Sequence, residues 1–260
     1  MDILVSTPGS PGTSFTNNVK EKIVVIFDVL LHSKDFSTVR ELGQELEKFD
    51  INWNYARNIL PFLQNCGFVR YKSNASIVNK EFFTDLGYAF IDILKCIAIC
   101  EKEENLTEKE NILAELHCIE ENILFQGLVT MMKNKECSYS KDFYDVIRFV
   151  DIYGSIDAIE YLLIQYMRDS CKEDYILEMR QVVEDYRSGK IEINVKTKTK
   201  NGDNGEAKSV NSFPYVHGNF GKAGVFIKAN DNKFVLNENR IKEVKAALLE
   251  VGTVWENLVR

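Results

Sequence analysis

Three amphipathic segments follow one another early in the chain and constrain its fold more than any other feature. Apolar residues recur at helical spacing in residues 19–31, 38–49 and 52–65. Ser37 stands where an N-cap is expected, with Glu41 near the acidic position of a capping box. Gly67 supplies a stop after the third segment. The sequence therefore predicts three short helices in close succession.

An extended piece follows these helices. Residues 68–71 and 77–79 have the composition of short strands, and the stretch between them is turn-like. We therefore expect a hairpin formed by residues 68–71 and 77–79. A further helix should begin near residues 83–90.

The stretch from Arg57 to Val69 reads R-x-x-L-x-x-L-x-x-x-G-F-V, with Leu60 and Leu63 as its two leucines. It resembles the recognition helix and first wing strand of the winged helix-turn-helix superfamily. Residues 83–90 are similar to the L-T-x-x-G entry to the last helix of many winged-helix regulators, with Phe83 in place of the leucine. The resemblance covers roughly residues 19–100 and implies a domain that binds DNA or protein.

The resemblance implies a set of DNA contacts. Asn and Arg side chains at the exposed start of the third helix could read base edges, and wing cations could contact phosphates. The candidates on this unit are Asn52, Asn54, Tyr55, Arg57, Asn58, Arg70 and Lys72. The alternative is that these are solvated polar positions of a winged helix that mediates protein contacts.

The middle of the chain is acidic. Residues 101–190 carry 20 acidic and 11 basic side chains, within a chain of net charge −7. Their helical periodicity predicts a bundle, and the acidic excess indicates either its solvated face or a docking surface for a basic partner. Candidate carboxylates at positions 120, 121, 142, 145 and 151 form no motif with a nucleophile or a histidine, so no catalytic residues are predicted.

The pattern changes to alternation after Gly189. Lys196, Lys198 and Lys200 are spaced by two residues and should lie on one face of a strand, before a strong turn signal at residues 201–205. Such a row suits a phosphate backbone, and it equally suits an edge strand protected against aggregation. Residues 217–224 are expected to form a turn joining strands. Residues 225–228 and 233–236 should form a hairpin, followed by a helix at 238–249.

These patterns predict a mainly α fold with small β hairpins, of the α+β class. The expected domains are a flexible lead-in at 1–18, a winged helix-turn-helix domain at 19–100, an acidic helical domain at 101–190, and a small α+β domain with a basic hairpin at 191–260. The last domain contains a β-hairpin and a helix.

The function predicted from the sequence is a non-catalytic, DNA-associated accessory or regulatory subunit. Its expected partners are double-stranded DNA and a protein, including a second copy of the chain. The alternative is an adaptor or scaffold that docks onto a larger ATPase or nuclease complex without contacting DNA.

Some other functions are disfavoured by the sequence. Glu243 and Lys245 resemble part of a nuclease motif, but those acids belong on adjacent strands and residues 238–249 have a helical pattern. No cofactor, metal or membrane partner is expected. The six cysteines form no CxxC pair, which indicates reduced thiols and a cytoplasmic location.

Overall fold

The computed structural model describes residues 1–6, 10–72, 75–104, 107–170, 174–198, 204–206 and 212–256. The helices are α1 (Asn17–His32), α2 (Val39–Glu47), α3 (Trp53–Asn65), α4 (Asn79–Phe82), α5 (Asp85–Lys102), α6 (Lys109–Lys133), α7 (Ser140–Tyr153), α8 (Ala158–Ser170), α9 (Tyr175–Glu178), α10 (Arg180–Arg187), α11 (Phe213–Lys222) and α12 (Ile241–Glu256). The strands are β1 (Asp2–Ser6), β2 (Ser155–Ile156), β3 (Asn194–Lys198), β4 (Asn204–Glu206), β5 (Phe226–Lys228) and β6 (Phe234–Leu236). Short 3-10 helices lie at Asn230–Asn232 and Glu238–Arg240. The protein is thus mainly helical with small strands, as predicted.

The chain divides into two compact units. Unit 1 comprises Met1–Ser10, Ser138–His217 and Val225–Arg260, and unit 2 comprises Pro11–Cys137 and Gly218–Gly224. These boundaries differ from the expected division at residues 100/101 and 190/191. Helix α6 belongs with the N-terminal helices because it packs closely on them: a Cβ at its Gly127 would lie 2.7 Å from Cζ of Phe68.

Local hydrogen bonds explain where the first helices of unit 2 begin. The Thr16 hydroxyl accepts from the Val19 N–H at 3.3 Å at the start of α1. The Thr38 hydroxyl accepts from the Glu41 N–H, and the Glu41 carboxylate accepts from the Ser37 N–H, one residue before the position that a capping box would use. The predicted cap at Ser37 is therefore displaced by one residue.

The core of unit 2 is a cluster of aromatic rings. Phe68 and Phe90 stack with centroids 4.9 Å apart, and Phe15 approaches Phe62 at 4.9 Å and Phe90 at 5.7 Å. The buried Asn219 side chain holds the segment before α1 in place. Its carbonyl accepts from the Phe15 N–H, and its amide donates to the Thr13 carbonyl.

The predicted flexible lead-in at residues 1–18 is therefore wrong for much of its length. Residues 2–6 form β1, with Ile3 and Val5 buried. Phe15 is fully buried, and Thr16 caps α1. The alternating apolar residues of β1 and the Phe15 side chain order this segment despite the small polar residues around them, because their side chains are buried in a core.

The predicted hairpin between residues 68–71 and 77–79 does not form among the described residues. Val69 pairs instead with Phe83, where the Arg70 N–H donates to the Phe82 carbonyl at 2.7 Å. Ile77 pairs with Phe36, in the loop between α1 and α2. Pairing with residues 82–84 buries the Phe82 and Phe83 side chains, which a local hairpin would leave outside.

The described part of unit 1 holds two three-stranded sheets. In the order β1-β3-β4, β1 runs parallel to β3 and β4 runs antiparallel to it. The order of the other sheet is β2-β6-β5. The predicted hairpin of residues 225–228 and 233–236 is confirmed by the antiparallel pairing of β5 and β6, and part of the alternating segment after Gly189 forms β3. Residues 204 and 205, expected in a turn, belong to β4, and the expected turn at residues 217–224 is wrong. Residues 217–222 belong to α11, because Phe213, Val216 and Phe220 are buried at helical spacing.

None of the helices in the described residues combines the length and apolar character needed to cross a bilayer. Cys66, Cys96, Cys100, Cys118 and Cys137 are free thiols, and Cys171 lies outside the described residues.

Candidate nucleic-acid interface

Helices α2 and α3 of unit 2 form a closely packed pair joined by a turn. A Cβ at Gly43 would lie 2.1 Å from Cε3 of Trp53, so only glycine allows this approach of α2 to α3. The turn between them includes Asp50 in the left-handed region at φ 58°, and buried Ile51 donates its N–H to the Leu46 carbonyl. This pair gives α3 a rigid support.

The first turns of α3 present polar side chains to solvent. Ala56, Ile59, Leu60 and Leu63 are buried, whereas Asn54, Arg57 and Asn58 are exposed. Asn52 is exposed too, but its side-chain oxygen caps the helix by accepting from the Asn54 N–H at 2.8 Å. The amides of Asn54 and Asn58 and the Arg57 guanidinium thus form an exposed donor and acceptor surface, which we call the α3 face.

Tyr55 does not belong to the exposed set that the sequence predicted. It is half-buried, and the Lys22 ammonium lies 4.0 Å from the centre of its ring. The hydroxyl is buried without a hydrogen-bond partner among the described residues, and burial raises the pKa of Tyr55 to about 12. Tyr55 therefore packs beside the α3 face and does not belong to its exposed surface. Lys22 is a further cation beside α3. The helical pattern of α1 did not single it out, because that pattern marks only the apolar positions.

Arg70 and Lys72 follow the strand segment after α3, and both are exposed. Arg70 donates from Nη1 to the Glu81 carbonyl at 2.9 Å, which orients its guanidinium. Burial raises the pKa of the Tyr71 hydroxyl, and the positive charge of Arg57 opposes that rise. The Arg57 charge therefore acts on Tyr71, which stands between Arg70 and Lys72 in the sequence.

The lysine row of β3 belongs to unit 1. Its strand is hydrogen-bonded to β1 on one side and to β4 on the other, so the interpretation as a protected edge strand is wrong. Lys196 is exposed and lies opposite Glu206 in the register. Lys198 ends β3 opposite Asn204, and Lys200 lies outside the described residues.

Three of the five candidate carboxylates in the middle of the chain contact cations. Asp142 and Asp145 are buried, and Arg168 contacts them at 2.6 and 3.3 Å. Burial raises the pKa of Asp142, while Arg168 opposes that shift. In unit 2 the buried Glu120 contacts the Lys20 ammonium at 2.6 Å and Nδ1 of His117 at 3.1 Å. Such neutralised networks organise the interior.

The described residues give little support to a metal site or to a nuclease site. Among the described residues, no group of three or more His, Cys, Asp or Glu side chains could hold a metal ion. Glu243 and Lys245 both lie on α12, as the helical pattern predicted, and both are exposed. The strand geometry that a metal-dependent nuclease of this type requires is absent there.

A search of family models finds no match to this chain, and neither curated proteins nor solved structures yield one.

Proposed function

We propose that the protein is a non-catalytic accessory or regulatory subunit that binds nucleic acid through the α3 face. The observation that carries the proposal is the separation of the two sides of α3, with Leu60 and Leu63 in the core and Asn54, Arg57 and Asn58 in solvent. Asn and Arg are the side chains that pair bidentately with adenine and guanine edges.

The cations around the α3 face supply the phosphate contacts of this proposal. Arg57 is exposed and its charge acts on Tyr71, and Arg70 and Lys72, on either side of Tyr71 in the sequence, are exposed as well. A net charge of −7 opposes long-range attraction to DNA, so we expect weak binding that depends strongly on salt. The described residues lack the predicted two-stranded wing, and the contact must therefore depend chiefly on α3.

The test is an anisotropy titration of fluorescent 20-base-pair DNA, at about 50 mM and at higher salt. Arg57→Ala and Lys72→Ala should each weaken binding and reduce the salt slope by about one. Lys135→Ala is the matched control, because it removes an exposed cation after α6 in the same unit. If the wild type fails to saturate, or if Arg57→Ala matches Lys135→Ala, the α3 face does not bind duplex DNA.

The second candidate function is a protein adaptor, and one feature of unit 1 favours it. Leu249 on α12 is 76 % exposed. It borders a groove of about 390 Å³ between α7 and α12, beside Ile152 and Leu248. Leu249 and the half-buried Ile152 and Leu248 line the same groove, and contiguous exposed apolar patches are typical of protein docking surfaces. Leu249→Glu should abolish self-association in light scattering if a second copy fills the groove, whereas an unchanged mass would count against this partner.

A further inference from the structure

A cleft of about 450 Å³ lies within unit 1, away from the α3 face in sequence. Its walls come from the start of α8, from α10, from the first turns of α11, and from the β5–β6 hairpin. A cleft of this volume is in the range that small-molecule ligands occupy. None of the residues singled out by sequence patterns for DNA contact lines it.

One wall of the cleft is aromatic. The rings of His217 and Phe234 stack with centroids 3.9 Å apart and an interplanar angle of 19°. Phe213 packs edge-on against both, at 4.9 Å from His217 and 5.8 Å from Phe234. Phe213 is buried, whereas His217 and Phe234 are partly exposed. Because the two rings cover each other's facing surfaces, a third planar ring can stack only on an outer face of this His217–Phe234 stack, and both rings line the cleft.

His217 is held as a neutral imidazole. Burial lowers its pKa to about 4, and the nearby positive charge of Lys228 acts in the same direction. No hydrogen bond to its ring nitrogens is found among the described residues, although the ring lines an open cleft. A neutral, partly exposed imidazole with unpaired nitrogens can stack on a heterocycle and also hydrogen-bond to it.

The remaining walls carry polar groups. Lys228 is exposed and has no ion-pair partner among the described residues. On another side, the Tyr186 hydroxyl donates to Oδ2 of Asp157 at 3.2 Å. Burial raises the pKa of Tyr186 to about 12, and the Asp157 carboxylate contributes to that rise. The cleft thus combines a ring platform, one uncompensated cation, and a tyrosine–carboxylate pair.

We propose that this cleft binds a nucleoside phosphate, with its base stacked on an outer face of the His217–Phe234 stack and its phosphate beside Lys228. Stacking on aromatic rings holds any base by its face, and an ammonium is a common phosphate ligand. The Tyr186 hydroxyl donates its proton to Oδ2 of Asp157, and Oδ1 accepts from two backbone N–H groups at the start of α8, so the pair offers only acceptor positions to a base amino group or a sugar hydroxyl. The same chemistry is offered by a free nucleotide and by an unpaired nucleotide of a single strand.

The first experiment is a calorimetric titration of the full chain with AMP, GMP, CMP and UMP. Separate titrations with adenosine and with inorganic phosphate measure the affinity for the nucleoside alone and for the anion alone. We expect the nucleotides to bind, adenosine to bind about tenfold more weakly than AMP, and phosphate alone not to bind measurably. Absence of binding by all four nucleotides at millimolar concentration would overturn the proposal.

Two variants and a control separate the contacts. Lys228→Ala should weaken AMP binding about tenfold and leave the affinity for adenosine unchanged. Phe234→Leu should weaken the binding of AMP and of adenosine. Lys242→Ala removes an exposed cation of α12 in the same unit that does not line the cleft, and it should change nothing. Equal affinities of Lys228→Ala and Lys242→Ala for AMP would contradict the assigned phosphate position.

Imidazole NMR signals give a readout that does not depend on any variant. AMP should shift the His217 ring resonances and leave those of His32 and His117 in place; shifts at those two alone would overturn the assignment. A ten-nucleotide single strand that competes with AMP and binds more tightly would identify the strand as the source. Weaker binding by that strand would identify the free nucleotide.

Discussion

Arg187 joins a buried carboxylate to two backbone carbonyls. Its Nε contacts Oε1 of the fully buried Glu160 at 2.5 Å, and its Nη1 and Nη2 donate to the carbonyls of Tyr153 and Ser155 at 2.7 Å each. These bonds connect α10 to the end of α7 and to β2. Burial raises the pKa of Glu160 even though Arg187 opposes it. The Arg187–Glu160 ion pair therefore has a structural role, because each group neutralises the charge of the other.

Arg187→Met should lower the free energy of unfolding by about 3 kcal/mol, because Glu160 would remain buried without its cation. Adding Glu160→Gln to Arg187→Met should recover part of that loss. Arg180→Met, at an exposed position of the same helix, serves as the control and should have little effect. Urea unfolding at pH 7 measures all four proteins. A double variant less stable than Arg187→Met would show that the pair is not coupled.

His217 gives unit 1 a sensitivity to mild acid. Its pKa is about 4 in the folded protein and 6.5 in its ordinary state. The unfolded chain therefore binds a proton between these values while the folded protein does not, so stability falls as the pH is lowered from about 6.5 to about 4. His217→Phe keeps an aromatic ring and should lose less stability across this window. Urea unfolding at pH 7 and pH 5 compares the two, and equal losses would refute the assignment.

At the scale of elements, the contact between α6 and the aromatic core depends on Gly127. An added Cβ would lie 2.7 Å from Cζ of the buried Phe68 ring, which also packs against the rings of Phe15 and Phe90. Gly127→Ala should therefore destabilise the protein by roughly 1–3 kcal/mol, despite a gain in helix propensity of about 1 kcal/mol.

Gly218 on α11 is the matched position, because the atoms nearest to a Cβ added there would be 3.8 Å away. Gly218→Ala should leave stability unchanged or raise it slightly, since only the difference in helix propensity remains. Thermal unfolding followed by circular dichroism measures both. A melting temperature that changes equally for the two variants would show that the approach of α6 to Phe68 is not limiting.

The elements that could be predicted are those whose signals are local. The helical periodicity of α1 to α3 and the cap of α2 at Thr38 each depend only on residues that are close in sequence. The pairing of Val69 with Phe83 could not be predicted in this way, because the burial of Phe82 and Phe83 decides it and not the turn nearby. In α11, Gly218 and Gly221 suggested a turn, yet Phe213, Val216 and Phe220 bury a helical face.

The candidate sites show the same limit. Exposure of Asn54, Arg57 and Asn58 follows from the helical period of α3. The half-buried position of Tyr55 depends on Lys22 of α1, which no local pattern reveals. The cleft beside His217 draws on four separate segments of the chain, so only the tertiary structure brings its residues together.

At the scale of the whole molecule, β1 contributes to the core of unit 1 although nearly two hundred residues separate it from β3. Val5 is fully buried and lies opposite Thr197 in the parallel register. Val5→Asp should therefore destabilise unit 1 by about 3 kcal/mol, because it places an unpaired charge in the interior.

Hydrogen exchange read by mass spectrometry locates the effect of Val5→Asp. Protection should fall in peptides from α7 and α8, while peptides from α1 and α5 in unit 2 keep theirs. Asp2→Asn, at an exposed position of the same strand, is the control. Uniform loss of protection across both sets of peptides would show that the units unfold as one.

The parallel pairing of residues 2–6 with residues 194–198 also bears on synthesis. β1 is made well before β3 and must wait for this partner. The Asn219 side chain that fixes residues 13–15 emerges later still. Unit 2 is complete only after about residue 224, and unit 1 only after α12. β1 remains unpaired until β3 has been made, so a nascent-chain chaperone has time to act on it.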